Sequence, residues 1–254
     1  MSAAPLHLLR CQPDPRRLAA WAASRRLLPA QGDLGYALHA LLRAVFGEQA
    51  PPSFRYLDAE QEMLAYTALD AEGVRLRVAL ANAGDVAALG LVATATHDGY
   101  DMRAFPLRWP QGHKLRFDVR VRPVMREGKS GREQDVFLAV AHKSKGVNLE
   151  RGEVYAAWLR DQLDPPAGAS MPWHGAVDLL DVQLQQFRRL HVLRRTQRSD
   201  AGGERAAHAV EGPEAMLSGA LRVRDSDAFS KLVARGVGRH RAFGFGMLLL
   251  RPAL

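Results

Sequence analysis

The sequence predicts an α+β protein of two tandem ferredoxin-like units, the first over residues 1–110 and the second over 111–254. Two observations carry this. Read for hydrophobic periodicity, each half orders its elements as strand, helix, strand, strand, helix, strand, which is the ferredoxin-like order. The 254 residues are 47% hydrophobic, enough for one large core or two small ones. With 24% charged residues the composition is that of a globular chain rather than a disordered one.

The elements follow in order. Pro5 to Cys11, "PLHLLRC", reads as a short strand. "DPRRLAAWAASRRLL" reads as a helix with Asp14 as cap, Pro15 at its first position and Pro29 beyond its end. "DLGYALHALLRAVFG" is a second helix, capped by Asp33 and stopped by Gly47. "SFRYL" and "EMLAYTAL" are strand candidates, and "VRLRVAL" alternates apolar and basic residues with the period of a strand. In the second half, "HKLRFDVRVRPV" alternates as well. It sends Leu115, Phe117, Val119 and Val121 to one face and Arg116, Asp118, Arg120 and Arg122 to the other.

Then come a polar loop, "MREGKSGRE", an apolar strand candidate, "QDVFLAVAH", a helix, "GEVYAAWLRDQL", and a loop, "DPPAGASMPWHG". The period of residues 178–207 stays open. Leu180, Leu184, Phe187 and His191 fit a helix, whereas Val182, Leu184, Leu190 and Val192 fit strands. The end reads as a strand, "MLSGALRVR", a helix, "DSDAFSKLVARG", capped by Asp225 or Ser226, a glycine-rich loop, and a last strand, "FGMLLL".

Composition excludes several classes. The single cysteine, Cys11, permits no internal disulfide, and no Cys/His cluster has zinc spacing, so a reducing, cytoplasmic setting fits. The N-terminus has no charged segment before its apolar patch, unlike a signal peptide, and no apolar run reaches membrane-span length. HExxH, CxxC and GxSxG motifs and two-metal acidic pairs are missing, so neither metal nor cofactor is expected. The net charge of +8 favours a polyanionic partner, although a GC-rich genome also raises arginine content.

Three constellations carry candidate chemistry. Around Arg239, His240 and Arg241, glycines 236, 238, 244 and 246 form "GVGRHRAFGFG". A helix cap and a turn would account for the glycines alone. The basic triplet adds a reason for contact with a phosphodiester backbone. It is not a nucleotide P-loop, for no Gly-Lys-Ser/Thr closes it. On the second helix, Tyr36, His39 and Arg43 share one face, opposite the apolar arc of Leu34, Leu38, Leu41, Leu42 and Val45. A phenol, a proton-transfer group and a fixed cation on one face suit acid–base chemistry, though a lone helical His is ordinarily a surface residue. Third, Arg188, Arg189, Arg194, Arg195 and Arg198 make a basic stretch suited to a phosphate backbone or to an A-form groove; the bland alternative is a solvated face.

Taken in order, "DLGYALHALLRAVFG", "KLRFDVRVRPV", "WLRDQL" and "LSGALRVRDSDAFSKLVARGVGRHRAFGFGMLLLRPA" resemble the CRISPR repeat-RNA endoribonucleases of the CasE kind, from type I-E systems. Related processing nucleases of other CRISPR types, such as type IV, are not separated from these by the sequence. The terminal block is the most specific part, and the resemblance is thin over 60–110 and 165–207. It implies two ferredoxin-like (RRM-like) domains. It also implies metal-independent cleavage of CRISPR precursor RNA at the base of the repeat hairpin, through 2′-hydroxyl attack and a 2′,3′-cyclic phosphate. RNA and other CRISPR effector subunits are the implied partners.

The family's helical histidine in a Tyr-x-x-His setting falls on Tyr36 and His39. His39 would deprotonate the 2′-hydroxyl or protonate the 5′-oxygen, with Tyr36 and Arg43 at the phosphate. Lys143 and Lys145 are further candidates for the cation. Two departures stand out: the extra Gly35 before Tyr36, and Arg16, Arg17, Arg25 and Arg26 ahead of the helix, which would lessen the need for His39 if they reach the phosphate. The alternative reading is a non-catalytic RNA-binding subunit of an effector complex.

Overall fold

The computed structural model describes residues 5–28, 33–106, 108–127, 132–144, 148–165, 171–195 and 207–253, with backbone alone at 192–195 and 207–210. In the first half, β1 (His7–Cys11) leads into α1 (Pro15–Ser24) and α2 (Gly35–Phe46). A hairpin of β2 (Ser53–Leu57) and β3 (Glu62–Thr67) follows, then α3 (Ala71–Leu80), α4 (Ala83–Leu89) and β4 (Tyr100–Ala104). The sheet order is β2-β3-β1-β4 with every pairing antiparallel. That is the ferredoxin-like arrangement, with each crossover made of two helices.

The second half repeats it on a larger scale. β5 (Lys114–Val121) is followed by the short hairpin β6 (Val124–Arg126) and β7 (Glu133–Asp135), then α5 (Val136–Lys143) and α6 (Arg151–Leu163). The long strands β8 (Val177–Arg195) and β9 (Ala207–Val223), α7 (Ser226–Arg235) and β10 (Leu248–Pro252) complete it. The order β10-β5-β9-β8 is again that of the ferredoxin-like sheet.

Local signals explain most of the boundaries. The Asp14 carboxylate accepts from the amides of Arg16 and Arg17 and starts α1 with Pro15 in its first turn. Asp225 accepts from the Ala228 amide and starts α7. Asp33 behaves differently from the expected cap. It lies one residue before the capping position, Leu34, and accepts from the Gly35 amide at 2.5 Å with one oxygen. Its other oxygen is engaged with Arg120 on β5.

Two expected strands are helices. "VRLRVAL" lies in α3, where Asp70 accepts from the Gly73 amide and Val74 is buried; Leu76 and Leu80 of the same run are left 58% and 72% exposed. The start signal outweighs an alternation that, in a basic surface helix, is fortuitous. "QDVFLAVAH" supplies α5: Asp135 caps the Phe137 amide, and Val136 and Ala139, three apart, face inward. A short apolar run has no period that separates a strand from a buried helix.

Of the open stretch 178–207, residues 178–195 belong to β8, Ala207 begins β9, and 196–206 lie outside the described residues; two bulges in β8 explain why its period could not be read. Pairing with β9 shifts between Leu179 and Asp181 and again between Leu184 and Gln186. Each bulge reverses the phase of the alternation.

Two cores result. Leu9, Leu18, Leu38, Leu41, Leu42, Phe46 and Met63 fill the space between the first sheet and its helices. Phe117, Val119, Tyr155, Leu159, Leu217, Phe229 and Leu232 do the same in the second half. Each large side chain buried this way contributes about 1.5–3 kcal/mol. The other face of the first sheet is not solvated: Leu8, Leu64 and Tyr66 pack on the second core, and the Tyr66 hydroxyl donates to the Leu248 carbonyl at 2.6 Å. The two halves therefore meet sheet against sheet. The basic face of β5 is partly enclosed at this junction. Arg120 and Arg122 on that face are 7% and 1% exposed.

Candidate functional site

The glycine-rich loop links α7 to β10, and Gly236, Gly238, Gly244 and Gly246 all take positive φ, between 69° and 83°. Only glycine adopts these angles without strain. Their bare faces are turned on the protein itself. The Val237 amide donates to the Gly246 carbonyl at 2.8 Å, the Gly246 amide donates to the Arg120 carbonyl at 2.6 Å, and a Cβ on Gly246 would stand 2.1 Å from the Val237 oxygen. Arg241 runs its aliphatic stem across this seam, its Cγ 3.1 Å from where a Cβ of Gly246 would be.

At the loop's tip a single 3₁₀ turn, Arg241–Phe243, delivers Phe243 to α2. Its ring stacks on Tyr36 with centroids 5.5 Å apart and meets the His39 ring edge-on at 5.3 Å. Tyr36 and His39 are 6.4 Å apart. The face predicted from helical periodicity is thus formed, and an aromatic residue from the other half of the molecule closes it. Gly35 permits the approach, since a Cβ there would lie 2.2 Å from the Phe243 oxygen. Burial pushes the His39 imidazole below its ordinary pKa, and the charge of Arg43 adds to the effect. A neutral imidazole at neutral pH is the state that accepts a proton.

The predicted cations divide. Arg43, near His39 on α2, is held by Glu48. Arg239 and His240 both turn to Glu133 on β7, at 2.9 and 2.8 Å, and the His240 side chain is only 3% exposed. Arg188 and Arg189 lie exposed on β8 but are paired across the hairpin with Glu214 and Glu211, at 3.0 and 2.9 Å. Those acids are remote in sequence from the basic stretch. Arg194 and Arg195 continue the same strand, while Arg198 and Lys145 lie outside the described residues. Lys143 ends α5. Arg25 lies over the Trp21 ring at 4.2 Å and within 3.5 Å of Asp85, which the Trp21 indole also contacts; it braces α1 against α4.

A buried ion cluster joins the halves behind this site. Arg120 donates to both Glu214 oxygens at 3.0 Å and to Asp33 at the start of α2. The partners hold the Arg120 guanidinium above its ordinary pKa despite burial. Burial would raise Glu214, but Arg120 and Arg188 keep it below the usual carboxylate value. Between α2, β2 and β8 this cluster opens into a cleft of about 410 Å³ lined by Asp33, Gly35, Phe54, Tyr56, Arg120 and Arg188.

Sequence reasoning missed Phe243, Asp33 as an ion partner, Arg120 and Glu133. Phe243 had a visible signal, an aromatic residue inside the glycine loop. Asp33 and Arg120 meet across the halves, and Glu133 meets Arg239 and His240 from far back in the chain; no local pattern encodes either contact. Among the described residues, no three His, Cys, Asp or Glu side chains converge as a metal site would require, and no helix is long and apolar enough to cross a membrane.

A family model described as "CRISPR associated protein" matches residues 6–252. A search of curated proteins gave no significant match. Among solved structures, "CRISPR endoribonuclease Cse3 bound to 19 nt RNA" aligns at 21% identity and TM-score 0.60, covering 98% of this chain and all of that one. The Thermus thermophilus Cse3 structure "bound to an RNA representing a pre-cleavage complex" aligns at 18% identity and TM-score 0.56, again over 98% and 100%. A chain of a "CRISPR RNA-guided surveillance complex" aligns at 17% identity and TM-score 0.50, over 97% and 100%. At these identities the likeness is one of fold.

Proposed function

The chain belongs to the CRISPR-associated protein family, and on that footing we propose that it is a metal-independent endoribonuclease of the CasE kind. It cuts CRISPR precursor RNA at the base of the repeat hairpin and works in the cytoplasm beside other effector subunits. The RNA-bound endoribonucleases that share its fold support the substrate class. The observation that carries the chemistry is the half-buried His39, its basicity lowered, pressed with Tyr36 against Phe243 of the glycine loop.

In the reaction the 2′-oxygen loses its proton and bonds to the adjacent phosphorus. The bond to the 5′-oxygen breaks, and that oxygen takes up a proton. The products are a 2′,3′-cyclic phosphate and a 5′-hydroxyl. His39 serves as the base or as the acid, Tyr36 donates a hydrogen bond to a non-bridging oxygen, and Arg43 offsets phosphate charge once drawn from Glu48. Arg188, Arg189, Arg194 and Arg195 on β8, with Arg198 beyond it, grip the stem, and the glycine loop holds the strand beside the cut. The division at residue 110 separates the half carrying His39 from the half carrying the loop.

The test is cleavage of the hairpin repeat in excess EDTA by wild type and His39→Ala. Cleavage by wild type, lost in the variant with hairpin binding unchanged, supports the proposal. Cleavage that survives the substitution moves catalysis to the arginines. Tight binding without cleavage by wild type favours a non-catalytic subunit, a reading to which the Arg43–Glu48 pairing lends some weight.

A further inference from the structure

Arg235, the last residue of α7, and Arg241, on the loop that follows, are packed together without an acid. Arg235 donates to the Gly236 carbonyl at 3.0 Å, and Arg241 donates to the Arg235 carbonyl at 2.9 Å. Among the described residues, neither has a carboxylate within ion-pair distance. The other basic side chains of the loop, Arg239 and His240, are committed to Glu133.

The two carbonyls belong to the C-terminus of α7, which carries roughly half a negative charge. Two guanidinium groups exceed that by more than one unit. The excess is costly: burial and the nearby Arg241 charge push Arg235 down to about 10, and burial lowers Arg241 as well. An arginine pair of this kind is stable only because its stems are fixed. The Arg235 guanidinium lies 3.8 Å over the Trp173 ring, and the Arg241 stem is cradled by Gly236 and Gly246. Both line an open cleft of about 480 Å³ whose wall also includes Gly238, Ala242 and Phe243. Phe243 is the ring that touches His39.

We propose that Arg235 and Arg241 form a preorganised site for one phosphate group, and that its occupant is a backbone phosphate of the RNA next to the one cleaved. Planar guanidinium forks match phosphate oxygens, and an anion there removes the repulsion between the two charges. The identity of the occupant rests on the function proposed above; the anion site itself does not.

The experiment follows the two parts separately. Thermal melting of the full chain is measured in sodium phosphate and in sodium chloride of equal ionic strength. Arg235→Met and Arg241→Met keep the stems and remove the charges, and Arg235→Lys keeps a charge. The melting temperature of the wild type, and to a lesser degree of Arg235→Lys, should rise in phosphate, and that of the double Met variant should not. An equal response in wild type and double variant, or none in the wild type, overturns the site.

Hairpin RNA binding is then followed against salt concentration. The double variant should show a slope of log K on log salt shallower by about 0.7–0.9 for each RNA phosphate it no longer neutralises. An unchanged slope overturns the assignment to RNA. If the wild type fails to cleave while the phosphate response and the slope change persist, the proposed catalysis falls and this site stands.

Discussion

Gly35 and Phe243 touch across the two halves of the molecule, so closely that a Cβ on Gly35 would lie 2.2 Å from the Phe243 carbonyl oxygen. Alanine in place of glycine inside a helix ordinarily adds about 1 kcal/mol of stability. Here the sign should reverse, because the added carbon has backbone on the far side. Gly35→Ala should cost about 1–3 kcal/mol and move Phe243 from the His39 ring. Thermal unfolding checks the first part. Single-turnover hairpin cleavage, falling by more than hairpin affinity does, checks the second.

The depressed basicity of His39 sets a pH dependence. If the imidazole takes the proton of the 2′-hydroxyl, cleavage rises as pH increases through its folded pKa, which burial and Arg43 place below the ordinary 6.5. Arg43→Gln removes one of the two causes, so the rising limb of the pH–rate profile should move toward higher pH. A limb that stays in place would mean that another group is titrating.

Glu214 is held ionised by Arg120 and Arg188. Its folded pKa lies below its unfolded one, so its contribution is present above the unfolded value, about 4.3, and is lost as pH falls through the folded one. Wild type should therefore lose stability on acidification more steeply than Glu214→Gln. Denaturant unfolding between about pH 3 and pH 6 measures this. Arg120→Met, which leaves the buried Asp33 without its cation and Glu214 with Arg188 alone, should cost about 3–5 kcal/mol at neutral pH.

Arg55 on β2 offers a prediction of the opposite sign. It is 9% exposed; among the described residues its one hydrogen-bond partner is the Met216 sulfur at 3.0 Å, and two of its nitrogens have none. Burial first, and repulsion from Arg120 second, push it down to about 10. Burial outweighs the attraction of Glu214, Asp118 and Asp58, so Arg55→Met, an apolar chain of similar length, should raise the melting temperature. A fall would show that the charge is needed where the sheets meet.

Much of this was legible in the sequence, for physical reasons. α1, α2, α6 and α7 announced themselves through caps or long amphipathic periods, and β5 through its alternation. The Tyr36–His39 face followed from helical geometry alone. α3 and α5 did not, because a short run of mixed or wholly apolar residues satisfies either period until its neighbours choose. β8 was hidden by its two bulges. The site was half legible. Residues sharing one element could be grouped, but Phe243, Arg120 and Glu214 reach it from elsewhere in the chain. The pairing of Arg188 and Arg189 with acids depends on strand register, and that of Arg239 and His240 on where the loop meets β7; composition encodes neither.

Arg120 uses both of its ends. Its carbonyl accepts from the Gly246 amide, and its guanidinium donates to Asp33. A point mutation reaches only the second link. Replacing the side chain releases the first turn of α2, yet whatever residue stands at 120 still offers a carbonyl to the loop. The two sides of the site therefore differ in how they can vary over time. The placement of His39 is open to adjustment one codon at a time. The seating of the glycine loop is inherited with the strand itself and changes only if β5 shifts register or the glycine is lost.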